Sequence, residues 1–223
     1  LPDFPELEAA SIYEPAGGNV EIGGDYYDVF RAPDSTIWLS IADVCGKGVV
    51  AATKTSMIKY AVRAFVASGF SPGRVIGEVN RMVAERGDPS DIVTLWVGRV
   101  DTENARIMWS GGGHPSGLLR RATDGSVVRL PATGPLLGAV ASATYTDEST
   151  FLGDGDTLIL YTDGVTEARS GNTFFGEDRV EDALKPGGTA GEVVERLISA
   201  VRRFVQADLR DDVAVLAVRT LLK

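Results

Sequence analysis

Four aspartates stand where a strand pattern runs into a turn: Asp25 in Ile22-Gly-Gly-Asp-Tyr-Tyr-Asp28, Asp43 in Ile41-Ala-Asp-Val-Cys-Gly-Lys-Gly48, Asp163 in Tyr161-Thr-Asp-Gly164 and Asp211 in Arg210-Asp-Asp-Val213. Carboxylates gathered in one place repel one another and are costly to desolvate, so a fold that collects them usually needs cations. Oxygen-only ligation suits Mg²⁺ or Mn²⁺. His114 and Cys45 are the only histidine and cysteine in the chain, which leaves a His/Cys zinc site almost without ligands. The residues therefore predict a carboxylate cage for divalent metal ions.

Other chemistries are weaker fits. Gly46-Lys-Gly-Val-Val-Ala51 satisfies the glycine fingerprint of a dinucleotide fold, with a pyrophosphate at the helix N-terminus. That fold needs a parallel strand ending in an acidic residue about 20 positions on, whereas here Ala67-Ser-Gly-Phe-Ser-Pro72 leads into another helix. A tyrosine-phosphatase loop would place an arginine six positions after Cys45, but position 51 is alanine, and Cys45 is expected to be a packing residue. His114, in Ser110-Gly-Gly-Gly-His-Pro-Ser-Gly117, reads as a histidine bonded to loop backbone. No second group stands ready to orient it as a base.

Strand patterns lie near 8–14, 25–31, 36–43, 92–100, 104–110, 116–121, 144–151, 157–162 and 213–219, several separated by hairpin-length turns. Three amphipathic helices are expected. The first, over 48–67, has a stripe of Val50, Met57, Ile58, Ala61 and Phe65. The second covers 72–85, with Ser71 as N-cap and Pro72 at the first helical position, and buries Val75, Ile76, Val79 and Met82. The third covers 190–206 after the capping box Thr189-Ala-Gly-Glu192, with Val194, Leu197, Ile198, Val201 and Val205 inward. Val213–Val218 and much of Thr157–Tyr161 are apolar on both faces, so both are expected to be covered from two sides. These elements predict an α+β fold, a four-layer α-β-β-α sandwich of two stacked, mainly antiparallel sheets flanked by helices.

With 223 residues and 44% hydrophobic composition, the chain reads as a single domain over 1–223. Its net charge of −9 argues against nucleic acid as a partner, since that rests on Lys/Arg neutralisation of phosphates. A phosphorylated protein remains compatible, because bound metal reverses the local field. No signal peptide or membrane-spanning apolar stretch is visible, and the lone cysteine has no internal disulfide partner, so a cytoplasmic protein without membrane association is expected. The chain opens at Leu1-Pro-Asp-Phe-Pro without an initiator methionine, which suggests a fragment of a longer multidomain regulator.

The ordered set Gly23-Gly-Asp-Tyr-Tyr-Asp28, Asp43-Val-Cys-Gly-Lys-Gly-Val-Val-Ala-Ala52, Gly113-His-Pro115, Gly134-Pro-Leu-Leu-Gly138, Tyr161-Thr-Asp-Gly-Val-Thr-Glu-Ala168 and Asp211-Asp-Val-Ala-Val-Leu216 resembles the SpoIIE/RsbU branch of the metal-dependent protein phosphatase 2C (PPM) superfamily. The resemblance runs from about Glu8 to Arg219. It implies a serine/threonine phosphatase with two Mn²⁺ or Mg²⁺ ions at one edge of the stacked sheets. Asp25, Asp43, Asp163 and Asp211 would be ligands, joined by the Val44 carbonyl, and Gly24, Gly164 and Asp212 would support them. One departure is that the eukaryotic branch has Asp-Gly-His-Gly where this chain has Asp43-Val-Cys-Gly-Lys-Gly48, so the histidine proposed as leaving-group acid has no counterpart. The phosphate-binding arginine of that branch has no secure equivalent either, and Lys47, a water or a substrate group is left to fill such roles. The resemblance further implies a phosphorylated anti-sigma-factor antagonist as substrate, bacterial stress or developmental transcription as output, and a regulatory domain or partner acting on helices 48–67 and 72–85. The alternative is a catalytically silent regulator that binds a phosphoprotein with the same fold.

Overall fold

The computed structural model describes residues 1–16, 24–46, 48–85, 92–205 and 209–222. The strands are β1 (Leu7–Glu14), β2 (Tyr26–Arg31), β3 (Ile37–Val44), β4 (Val93–Asp101), β5 (Arg106–Gly112), β6 (Gly117–Arg120), β7 (Val127–Leu130), β8 (Glu148–Phe151), β9 (Thr157–Tyr161), β10 (Arg169–Ser170), β11 (Thr173–Phe174) and β12 (Val213–Thr220). The helices are α1 (Gly48–Ala67), α2 (Pro72–Glu85), α3 (Asp163–Thr166), α4 (Gly176–Leu184) and α5 (Ala190–Val205). They divide between two compact units, one formed by Leu1–Glu21, Gly117–Leu130 and Leu152–Lys223, the other by Ile22–Ser116 and Pro131–Phe151. Each unit holds one five-stranded antiparallel sheet with helices against it, so the expected α+β class with two antiparallel sheets is observed.

In the first unit the sheet order is β1-β12-β9-β6-β7. Burial explains the apolar runs: every residue of β9 and the first six of β12 are buried. α5 lays Val193, Val194, Leu197, Ile198 and Val201 into a core shared with Ile159, Val213 and Val215. Its start is fixed as the sequence predicts. Glu192 N–H donates to Thr189 Oγ1 at 3.2 Å while the Glu192 carboxylate accepts from Thr189 N–H at 2.9 Å, the two halves of a capping box.

In the second unit the order is β2-β3-β4-β5-β8, with α1 and α2 packed through Ile58, Val62, Val66, Val75, Ile76 and Val79. The N-terminal amide of Gly73 in α2 is satisfied by the Asp147 carboxylate at 2.6 Å, a partner 74 residues away. Val50 departs from expectation. It is 67% exposed, and the buried stripe of α1 is Ala51, Ile58, Val62 and Val66. The short elements β7, α3, β10, β11 and α4 add to those expected, and the strand pattern near 144–151 is a strand only over Glu148–Phe151.

Candidate metal centre

In the second unit, β2 and β3 are antiparallel with Tyr26 opposite Ala42. One further step sets Asp25 opposite Asp43 and Gly24 opposite Val44. The backbone confirms that step, since Val44 N–H donates to the Gly24 carbonyl at 3.2 Å. A Cβ on Gly24 would overlap the Val44 carbonyl oxygen, so only glycine lets the strands approach this closely. Thr55 Oγ1 of α1 donates to the same Gly24 carbonyl at 3.0 Å. Behind Asp43, its cross-strand neighbour Thr94 has its hydroxyl 2.8 Å from Nδ1 of His114, which is 4% exposed. His114 is thus buried and bonded as expected of a loop histidine, but its partner at Nδ1 is the side-chain hydroxyl of Thr94 on β4, not the loop backbone the sequence suggested.

In the first unit, Asp163 opens α3 directly after β9, and Asp211 precedes β12. Thr162 clamps the two segments: its N–H donates to the Ala214 carbonyl and its hydroxyl accepts from Ala214 N–H, each at 3.0 Å. A Cβ on Gly164 would overlap the Asp212 carbonyl oxygen. Asp211 Oδ1 accepts the Asp212 amide at 2.9 Å, and the Asp212 carboxylate accepts the Ala16 amide at 2.8 Å. Burial, then the neighbouring Asp211 and Glu167 carboxylates, raise the Asp163 pKa above its ordinary range.

The two halves share one construction. A glycine adjoining one aspartate touches the carbonyl of the residue that follows the other: Gly24 of the Asp25 turn meets Val44, and Gly164 of the Asp163 turn meets Asp212. The four sequence-predicted ligands thus fall as two pairs, Asp25 with Asp43 and Asp163 with Asp211, one pair to each unit. Among the described residues, no three or more His, Cys, Asp or Glu side chains form a metal-holding group. The donor chemistry nonetheless suits a hard divalent cation, since it is all oxygen and one member is already disfavoured as an anion by its neighbours.

Three motif residues, Ile22, Gly23 and Lys47, lie outside the described residues. Cys45 is exposed, not packed, because β3 ends at Val44 and the chain leaves the sheet through Gly46 at φ +119°. The Gly134–Gly138 motif is structural: Leu137 bridges to Val93 of β4, and Gly134 bridges to Gly112 of β5 beneath the Tyr145 ring.

Sequence reasoning assigned no role to Asp28. Its carboxylate, 6% exposed, receives Arg63 in a bidentate pair at 2.6 and 2.9 Å, with Lys59 at 3.5 Å. Thr55, Lys59 and Arg63 recur every four residues, so one polar stripe of α1 grips β2 at Asp28 and the Gly24 carbonyl just before Asp25. The spacing of that stripe was the available signal.

The fold is that of PP2C-type phosphatase domains. The PP2C domain of SpoIIE from Bacillus subtilis superposes with a TM-score of 0.84 at 20% identity, covering 96% of this chain and 63% of that one. The RsbU and RsbW domains of Rv1364c from Mycobacterium tuberculosis give 0.82 at 26% identity, covering 98% and 62%. The model of the Stage II sporulation protein E (SpoIIE) family matches residues 33–221, and the chain belongs to that family. It is 29% identical over 221 residues to the phosphoserine phosphatase RsbU of Bacillus subtilis (strain 168), covering 98% of this chain and 65% of that relative. No helix among the described residues is long and apolar enough to cross a membrane.

Proposed function

We propose that the two units act as one PPM-type domain, a metal-dependent phosphatase that removes phosphate from phosphoserine or phosphothreonine on a protein. The observation that carries this reading is the repeated construction of two aspartate pairs, each locked by a glycine against a carbonyl, in a member of the SpoIIE family. Asp25, Asp43, Asp163, Asp211 and the Val44 carbonyl would hold two Mn²⁺ or Mg²⁺ ions, with Gly24, Gly164 and Asp212 keeping them in place. Such ions supply an activated water for in-line attack on phosphorus and neutralise charge on the phosphoryl oxygens. The chain's own part is to fix carboxylates that would otherwise repel, through Thr162, Thr55 and the two glycine approaches.

Kinship with RsbU supports a phosphorylated anti-sigma-factor antagonist as the substrate, in the cytoplasm. Regulation would enter through α1 and α2. Val49 and Tyr60 of α1 are 79% and 68% exposed, which leaves apolar surface for a regulatory domain or partner.

Phosphate release from a phosphoserine peptide at graded Mn²⁺ tests the reading. Release should saturate with metal and vanish in EDTA. Asp25→Asn and Asp163→Asn should each lower it by more than the roughly 10–100-fold typical of groups one step removed from a metal. Metal binding without turnover would instead mark a silent phosphoprotein-binding regulator.

A further inference from the structure

A cleft of about 200 Å³ opens beside the Asp163 turn, with Asp211, Arg210, Arg169, Glu167, Leu209 and Val205 in its walls. Acidic residues outnumber basic ones by 31 to 22, and several arginines are held by carboxylates: Arg63 by Asp28, Arg121 by Asp156, Arg129 by Glu177 and Glu181, Arg202 by Glu14. Arg210 has no hydrogen bond or ion pair among the described residues. Arg169 lies over the Phe174 ring, 4.2 Å from its centroid, across the β10–β11 pair, and has no side-chain hydrogen bond or ion pair among the described residues. Stacking occupies the face of the guanidinium and leaves its in-plane N–H donors open, the edge that binds an oxyanion in bidentate fashion. Glu167 and Asp211 share the cleft, yet neither is ion-paired with Arg169 or Arg210 among the described residues.

We infer that Arg169 and Arg210 form an oxyanion-binding subsite that seats the phosphoprotein next to the Asp163–Asp211 pair. This rests on the phosphatase reading and names the groups that would recognise its substrate. The oxyanion is either the phosphoryl group or a carboxylate flanking the phosphoserine, and the chemistry of capture is the same for both. The apolar wall of Val205 and Leu209 takes the adjoining aliphatic part of the peptide.

Affinity for a peptide carrying a non-hydrolysable phosphonate analogue of phosphoserine, measured in Mn²⁺, tests this whether or not the chain turns substrate over. Arg169→Ala and Arg210→Ala should each weaken binding about tenfold or more, the worth of one hydrogen bond to a charged group. Lysine at either position should restore only part, because it keeps the charge and loses the fork. Melting temperature and Mn²⁺-induced stabilisation should not move. A loss seen with a phosphonate peptide lacking acidic neighbours assigns the subsite to the phosphoryl group; a loss confined to peptides with an acidic neighbour assigns it to the flank. Failure of the unsubstituted chain to bind any of these peptides, or equal affinity in the double alanine variant, overturns the inference. Failure of the unsubstituted chain to release phosphate from phosphoserine peptide, with binding intact, overturns the phosphatase reading instead.

Discussion

The smallest side chains have the strictest positions. Gly24 and Gly164 each sit where a Cβ would overlap a backbone carbonyl oxygen, and neither neighbour is the movable end of a side chain. Gly164→Ala should therefore cost about 1–3 kcal/mol or more, as overpacking does. It should also shift Asp163 relative to Asp211; urea denaturation read alongside Mn²⁺ affinity checks both effects. Asp163 makes the opposite prediction. A carboxyl whose pKa is raised by folding costs stability while it is ionised, and that cost fades as pH falls through the folded pKa. Burial and the adjacent Asp211 carboxylate place Asp163 in that class. Asp163→Asn should then raise the melting temperature in EDTA at neutral pH and abolish the further rise that Mn²⁺ gives the unsubstituted chain. A variant that melts lower in EDTA would show that Asp163 supports the fold, not the metal.

Among the elements, α1 carries the most consequence, because its polar stripe fastens it to β2. Removing Arg63 leaves the nearly buried Asp28 carboxylate with Lys59 alone. Breaking a fully buried pair costs about 3–5 kcal/mol, but Arg63 is 41% exposed and Lys59 remains, so Arg63→Ala should cost nearer 1–3 kcal/mol. The double variant Asp28→Asn/Arg63→Ala should be more stable than Arg63→Ala alone, by equilibrium unfolding, since it leaves no stranded charge. The four-residue spacing of Thr55, Lys59 and Arg63 marks a polar stripe in the sequence, but its partner Asp28 was not legible, because 35 residues separate it from Arg63. By contrast α2 and α5 were legible because each has an apolar period matching its burial, and β9 and β12 because each is apolar on both faces. α1 was placed but its face was misread at Val50, since the first turn points Val49 and Val50 to solvent. α4 escaped notice because Gly176–Leu184 is charged and buries only Val180, Ala183 and Leu184. β7 is four residues long and half exposed.

At the scale of the molecule, the aspartates stood out because each lies at a strand end, Asp25, Asp163 and Asp211 with a glycine or second acid beside them and Asp43 with Gly46 three positions on, a pattern periodicity leaves unexplained. Their division into one pair per unit was not, because it follows from how the chain leaves and re-enters each sheet. With a net charge of −9 the chain repels a phosphate dianion at long range, so a bound cation would favour its approach.

The most direct measurement is the Mn²⁺ stoichiometry by equilibrium titration of the unsubstituted chain, Asp43→Asn and Asp163→Asn. The account predicts two ions per chain, with at least one lost or greatly weakened in each variant, although the substitutions lie in different units. Two ions bound with unchanged affinity in both variants, or none bound to the unsubstituted chain, would contradict it.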